Sequence, residues 1–317
     1  MTTATLVTFG EAMGLVTAEE TGPFHFARRF GFSVGGAESN VAIGAARLGV
    51  PTTWFGRVGR DAVGDLIAFR LAAEGVRALV TRDDGFTGLM VRYERSAGRT
   101  HVDYHRRGSA GSRITEADIP VVEVEQAGVL HLTGITPALS EAACDTVFRA
   151  VATAREAGVT ISFDVNYRSK LWDHESAVPV LRRLASAADI VFAGPTEAAM
   201  VLGGDSTAPR HTLAEGLCEL GPSEAVIKDG ARGCSAVIDG YPYDLPALAV
   251  REVDPVGAGD AFVAGYLAER LAGEPAARRL TTAIAAGAYA VTVPGDCEGL
   301  PTRAELAASV GAEDVLR

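Results

Sequence analysis

Four consecutive residues, Gly257-Ala258-Gly259-Asp260, bring an anion-binding backbone and a carboxylate into a single turn. They lie in the stretch Val253-Asp254-Pro255-Val256-Gly257-Ala258-Gly259-Asp260-Ala261-Phe262-Val263-Ala264-Gly265-Tyr266-Leu267. Pro255 and the glycines exclude a helix up to Gly259, after which Ala261, Ala264, Leu267, Ala268 and Leu271 repeat at helical spacing. The small residues leave their N–H groups unobstructed where that helix begins, and its dipole adds partial positive charge. Such a nest suits a phosphate whose negative charge grows during transfer. Asp260 repels the same ligand, so its presence needs a reason. One reading is a helix-capping carboxylate, worth about 1 kcal/mol. The other is a general base that takes the proton of an attacking hydroxyl as bonding proceeds. The motif by itself weighs the two evenly.

Other phosphate-handling designs are excluded. No Gly-Lys-Ser/Thr tripeptide occurs, which removes a Walker A loop. Phe262 stands where a dinucleotide fingerprint requires its third glycine. The catalytic-loop and Asp-Phe-Gly patterns of protein kinases are absent. Cys144, Cys218, Cys234 and Cys297 form no C-x-x-C pair, which argues against structural zinc and a disulfide framework. Acidic residues outnumber basic ones, 40 to 29, for a net charge of −11. The basic stretches Arg106-Arg107 and Arg278-Arg279 are too short to reverse that field, so nucleic acid is not an expected partner. Met1 to Thr5 lacks the basic start of a signal peptide, and no charge-free stretch approaches a membrane span. The expectation is a cytoplasmic protein with no membrane partner.

The elements that must position Asp260 alternate in type. Strands are expected at Leu6–Phe9, Thr52–Phe55, Val129–Leu132, Thr160–Phe163, Ile190–Ala193 and Ala225–Lys228. Helices are expected at Asn40–Leu48, Asp61–Glu74 and Ser140–Glu156, and near Asp260–Leu271 and Ala276–Val291. This alternation predicts a parallel sheet with helices on both faces. The rhythm breaks twice. Thr17 to Val34 is turn-rich, and Leu89 to Glu94 and Thr100 to Arg106 alternate like two strands around Ser96-Ala97-Gly98. Together these segments are expected to form a small lid sheet over the site. Within its second strand Val102, Tyr104 and Arg106 share one face, and His101, Asp103 and His105 the other.

With those residues in view, the sequence resembles the PfkB/ribokinase family of carbohydrate kinases. Gly257-Ala258-Gly259-Asp260, in its D-x-x-G-A-G-D setting, is similar to the family's C-terminal signature. Gly35-Gly36-Ala37-Glu38-Ser39-Asn40, followed by Ala42 and Arg47-Leu48-Gly49, is similar to the N-terminal one. Within the family the chain most resembles the 2-keto-3-deoxygluconate kinases. The stretches that carry this are Phe9–Met13, Tyr104–Ser112, Leu130–Ser140 and Asp164–Trp172.

The resemblance implies a ribokinase-like three-layer α/β/α fold with a mostly parallel central sheet and a small β-sheet lid. It implies one kinase domain over residues 1–317, with lid segments at about 11–34 and 87–107. It implies transfer from ATP to the C6 hydroxyl of 2-keto-3-deoxygluconate, with Asp260 as base and Gly257, Ala258 and Gly259 at the transferring phosphate. Fructose, ribose, another sugar acid or a silent sensor of sugar or nucleotide are the alternatives. Gly36, Ala37, Glu38, Asn40, Tyr104, Arg106, Arg168 and Asp296 fall on the substrate side. Asn166, Lys228, Gly230, Arg232, Gly233, Gly257 and Gly259 fall on the nucleotide side, and Glu197 bears on Mg²⁺ through water. A monovalent cation is a further candidate cofactor. An arginine fork matches a carboxylate bidentately, which favours a sugar acid over a neutral sugar.

Three positions depart from the family pattern. Gly194 replaces the usual asparagine ahead of Glu197, Met90 a lid tyrosine, and Ile284 an asparagine near the nucleotide base. Leu89 and Val91 on an exposed lid edge suggest a homo-oligomer joined through the lids. His131, Trp54 and Trp172 read as core or wall residues.

Overall fold

The computed structural model describes residues 4–96 and 99–311. Ala97 and Gly98, the expected lid turn, lie outside the described residues. Among the described residues there are thirteen strands: β1 (Leu6–Phe9), β2 (Met13–Ala18), β3 (Phe30–Gly35), β4 (Thr52–Gly59), β5 (Arg77–Asp83), β6 (Leu89–Ser96), β7 (Arg99–His105), β8 (Val129–Thr133), β9 (Thr160–Asp164), β10 (Ile190–Ala193), β11 (Glu224–Lys228), β12 (Cys234–Ile238) and β13 (Tyr241–Leu245).

Nine of them form the main sheet, in the order β13-β12-β11-β10-β9-β8-β1-β4-β5. Pairing is parallel from β11 through to β5, and the β11-β12-β13 edge is antiparallel. Alternation along the central strands shows why helices cover both faces. In β1, Leu6 packs into one apolar cluster while Val7 and Phe9 pack into another. In β8, Val129 goes with Leu6, and Leu130 and Leu132 go with Val7. A strand apolar on both sides must be buried on both sides. Helices Glu141–Glu156, His174–Ala187, Pro195–Leu202 and Arg210–Glu219 supply one layer; Ala37–Arg47, Ala62–Ala73, Ala258–Leu271 and Ala276–Ala290 supply the other.

The second sheet, β3-β2-β6-β7, is the lid. Its outer pairs are antiparallel, while β2 and β6 run parallel because each enters from a separate insertion. The span read as turn-rich, Thr17 to Val34, is thus partly strand. Phe30 and Phe32 pair with Ala18 and Val16 across a register that the local glycines and Pro23 obscure in sequence. The hairpin β12-β13 and strand β5 also lack a separate sequence signal.

One expectation is corrected at the residue level. The helix carrying Asp260 begins at Ala258, two residues earlier than Pro255 and the glycines suggest. Gly257 is its N-cap, with φ 76°, and an added Cβ there would lie 2.2 Å from the Asp296 carbonyl oxygen. Once Gly257 makes the left-handed turn, Ala258 and Gly259 are free to take helical angles. The amide nest is therefore the first turn of the helix itself.

Candidate active site

The parallel strands point their carboxyl ends at a cleft of about 1350 Å³, roofed by the lid. The cleft lies where the strand order turns back between β8 and β1, the usual ligand position in a doubly wound sheet. Its wall takes Glu11 from the end of β1, Ile135 after β8, Asp164 and Asn166 from the end of β9, Glu197 after β10 and Lys228 from β11. From the opposite side come Gly36, Ala37 and Asn40, then Gly257, Gly259, Asp260 and Asp296; the lid adds Met90, Arg92, Tyr104 and Arg106.

Asp260 faces this cleft. It is only 9% exposed, and its Oδ2 accepts a hydrogen bond of 2.8 Å from Asn40 Nδ2. Burial raises its pKa to about 7; the Asn40 bond opposes that rise, and the neighbouring charges of Asp296 and Asp164 reinforce it. Asp296 is likewise lifted, chiefly by burial, to about 6. Two buried carboxylates thus flank Asn40. Lys228 Nζ pairs with Asp164 Oδ2 at 2.7 Å, and a Cβ added to Gly259 would meet that same ammonium at 3.6 Å. A fixed positive charge therefore stands beside the amide nest.

The lid arginine is more engaged than the fork reading supposed. Arg106 Nε donates to Glu11 Oε2 at 2.7 Å, and Nη2 lies 2.6 Å from the same oxygen. Ser109 Oγ donates to the other oxygen of Glu11. One edge of the guanidinium is thus committed to a buried acid, and Nη1 makes no hydrogen bond among the described residues. Tyr104 lies beneath two cations, with Arg106 Cζ and Lys170 Nζ each 5.6 Å from its ring centre. Arg168 and Arg107 also line the cleft; both are exposed, and no carboxylate pairs with either among the described residues. Lys170, Arg92, Asp164 and Glu11 are not singled out by sequence pattern, and Arg107 only as part of a short basic stretch. Glu11 had no chance to be, because its partners lie 95 and 98 residues away.

Some expected positions fall elsewhere. Glu38 is fully buried below the cradle, where Oε1 accepts from Thr133 Oγ1 and Thr136 Oγ1, both at 2.6 Å. Burial raises its pKa, and it lines no part of the cleft. It supports the helix start that presents Ala37 and Asn40. Gly230, Arg232 and Gly233 form a turn after β11 outside the cleft wall, where Arg232 pairs with Asp229. Ile284 is packed in the core, whereas Met90 faces the cleft within an apolar lid cluster of Met13, Leu15 and Val102. His131 is fully buried against Ser162 Oγ at 3.0 Å, and burial lowers its pKa to about 4. Trp54 is fully buried in one apolar cluster, and Trp172 packs, partly buried, against another.

Glu197 lines the cleft, but its oxygens accept from the amides of Gly194 (2.7 Å) and Tyr167 (2.9 Å). It thereby braces the Asn166 turn, where φ is 39° in the left-handed region. No group of three or more metal-ligating side chains occurs among the described residues. Asp164 Oδ1 and Asn166 Oδ1 are buried with no partner among the described residues, so both are open to a hydrated ion.

A helix N-terminus that carries a buried carboxylate in its first turn, beneath a lid on a ribokinase-like doubly wound sheet, is the arrangement of a phosphotransferase acting on an alcohol. Comparison with known proteins narrows the class. The sequence matches the pfkB family of carbohydrate kinases over residues 3–303, and the chain belongs to that family; it is an ATP-dependent sugar kinase. It is 38% identical to the 2-dehydro-3-deoxygluconokinase of Bacillus subtilis, covering 97% of this chain and 95% of the relative. It is 36% identical to the 2-dehydro-3-deoxygalactonokinase of Haloferax volcanii, covering 93% of each. Fructokinases are also among its relatives. A solved structure of a candidate ribokinase II from Escherichia coli, in complex with ATP and Mg²⁺, superposes with a TM-score of 0.89 at 27% identity, covering 97% of this chain and 99% of that one.

Proposed function

We propose that this kinase transfers the γ-phosphoryl group of ATP to the primary, C6 hydroxyl of 2-keto-3-deoxygluconate. The observation that carries the reading is the Asp260 carboxylate, held on the cleft wall by Asn40 in the first turn of the helix that begins at Ala258. A base whose pKa lies near 7 accepts a proton efficiently at neutral pH. The amides that follow Gly257, with Lys228 beside them, favour charge on the transferring group and its leaving oxygen. When bound with the nucleotide, Mg²⁺ would neutralise phosphate charge, and Asp164, Asn166 and Glu197 would hold its waters. The lid keeps water from competing with the acceptor hydroxyl.

The acidic acceptor is supported by charge. Among the described residues Arg107 and Arg168 on the cleft wall pair with no carboxylate, and Arg106 joins them there with its guanidinium partly held by Glu11. A neutral sugar leaves that charge unanswered, while a sugar-acid carboxylate matches it. Relatives that act on such acids, at 36–38% identity over nearly the full chain, point the same way.

The test is a panel of sugar acids and neutral sugars with Mg-ATP, using Asp260→Asn as the control. Turnover confined to the keto-deoxy acid is expected; full activity on fructose with none on the acid rejects the assignment. We further propose pairing of two copies through the lids, because Phe30 and Phe32 stand 41% and 51% exposed on the lid face turned from the cleft. A single monomer boundary in equilibrium sedimentation rejects it.

A further inference from the structure

Strand β6 sends one charged side chain through the apolar underside of the lid. Arg92 alternates with Met90 on the cleft face and sits opposite Val102 of β7. Its side chain is 14% exposed, and its Nη2 lies 2.6 Å from Oδ2 of Asp254, which is 4% exposed. An arginine this deep persists only when well paired. Asp254 is a junction. Its Oδ1 accepts from the amide of Val256 at 3.2 Å, and its Oδ2 accepts from the amide of Gly295 at 3.0 Å. Val256 immediately precedes Gly257, and Gly295 immediately precedes Asp296. The two loops also touch directly, since a Cβ on Gly257 would strike the Asp296 carbonyl oxygen. One buried carboxylate therefore fastens the segment that opens the amide nest to the segment that carries the second acid, and the lid grips that carboxylate.

We propose that Arg92 is a positioning residue that couples the docked lid to the geometry of the transfer site. It does not touch the reacting atoms. It holds Asp254, and through Asp254 it fixes the Val256–Gly257 and Gly295–Asp296 peptides, so that the nest reaches its working shape with the lid in place. Lys170 makes a second tie from body to lid, donating to the Val102 carbonyl at 2.7 Å. That bond ends at the exposed rim and reaches neither loop. The proposal rests on the reading of Gly257–Asp260 as the transfer site, and its test separates the two.

Hydrogen exchange on the full-length, ligand-free protein reads the coupling without any acceptor. In Arg92→Gln, amides in segments 254–260 and 293–299 should exchange about tenfold faster, while those in 141–156 stay unchanged. Arg92→Lys should recover much of the protection, because an ammonium still reaches a carboxylate. With the sugar acid, Arg92→Gln should lower kcat about 10- to 100-fold and move KM for ATP by less than about threefold. A mere charge-balancing role makes a different forecast. The double variant Arg92→Gln/Asp254→Asn removes the stranded carboxylate charge and leaves the tether broken, so it should stay as slow as the single variant. Unchanged exchange in Arg92→Gln overturns the proposal, and so does turnover in the double variant within about twofold of wild type. If the wild-type protein phosphorylates no sugar acid, the functional reading fails, and the exchange arm still decides the role of Arg92.

Discussion

Asn40 Nδ2 stands 2.8 Å from Asp260 Oδ2, which joins two motifs 220 residues apart in sequence. The same amide side chain also favours the ionised form of Asp296, so one neutral donor is set between two buried acids. Without it, both carboxylates face each other in a poorly solvated wall. The N-terminal motif is thus part of the machinery that tunes the base, as well as a floor for the substrate.

A pH profile reads this arrangement. The base must be ionised to accept a proton, so kcat/KM for the acceptor should rise with pH and level off above the Asp260 pKa of about 7. The two acids are coupled, so the limb belongs to the pair. Asn40→Leu removes a hydrogen bond to the charged form and should move the limb to higher pH by about one unit. Asp296→Asn removes a repelling charge and should move it to lower pH. The position of the limb is the readout, since both variants also reduce its height. A limb unmoved by either change refutes Asp260 as the titrating base.

Asp260→Asn tests chemistry and stability together. Loss of the base should cost about 10²- to 10⁴-fold in kcat. Stability should change in the opposite sense. The wild-type carboxyl has its pKa raised from 3.8 to about 7, so folding favours its protonated form. That contribution is complete below about pH 4 and is lost as pH rises through 7. The amide carries no such dependence. Asp260→Asn should therefore match wild type near pH 4 and exceed it by about 2–4 kcal/mol at pH 8 in urea unfolding. A variant less stable at pH 8 contradicts the buried carboxylate described above.

Much of this was legible in sequence, for identifiable reasons. Leu6–Phe9, Ile190–Ala193 and Ser140–Glu156 announce themselves through local pattern and caps; the Ser140 hydroxyl indeed accepts from the Ala143 amide at 3.1 Å. Asp260 and its glycines are contiguous, so their chemistry survives without a structure. Tyr104 and Arg106 follow from strand alternation, and both line the cleft. What stayed hidden depends on contacts between distant segments. Nothing near Glu11 marks it as the partner of Arg106. Glu38 sits in the right motif, yet its side chain turns down to Thr133 and Thr136. Arg92 reads as one more polar residue on an exposed hairpin until the lid is folded over Asp254.

The arginines predict how selectivity should break. Arg168 is exposed and pairs with no carboxylate among the described residues, whereas Arg106 is bound to Glu11. Arg168→Ala should raise KM for the sugar acid by about 10- to 100-fold and leave neutral sugars, however poorly used, nearly unaffected. Arg168→Lys keeps the charge but not the fork, and should recover only part of the loss. Arg106→Ala strands the buried Glu11 carboxylate and should lower the melting temperature as well as weaken binding. Equal effects of Arg168→Ala on acidic and neutral sugars, from steady-state kinetics, refute a carboxylate role.

Gly257→Ala tests the nest itself. The residue holds φ 76°, which costs an L-amino acid about 1 kcal/mol before any contact is counted. The new methyl would also lie 2.2 Å from a backbone oxygen of Asp296, and backbone cannot swing aside as a side chain can. Either the first turn or the Asp296 loop must shift, and both border the transfer site. The variant should therefore lose about 10²-fold or more in kcat, with ATP affinity reduced far less, because the amides matter most as charge develops on the transferring group. Single-turnover kinetics with saturating ATP separate the two effects. If the chemical step keeps its wild-type rate and only nucleotide binding weakens, the helix N-terminus serves the ground state alone, and the catalytic role assigned to its amides falls.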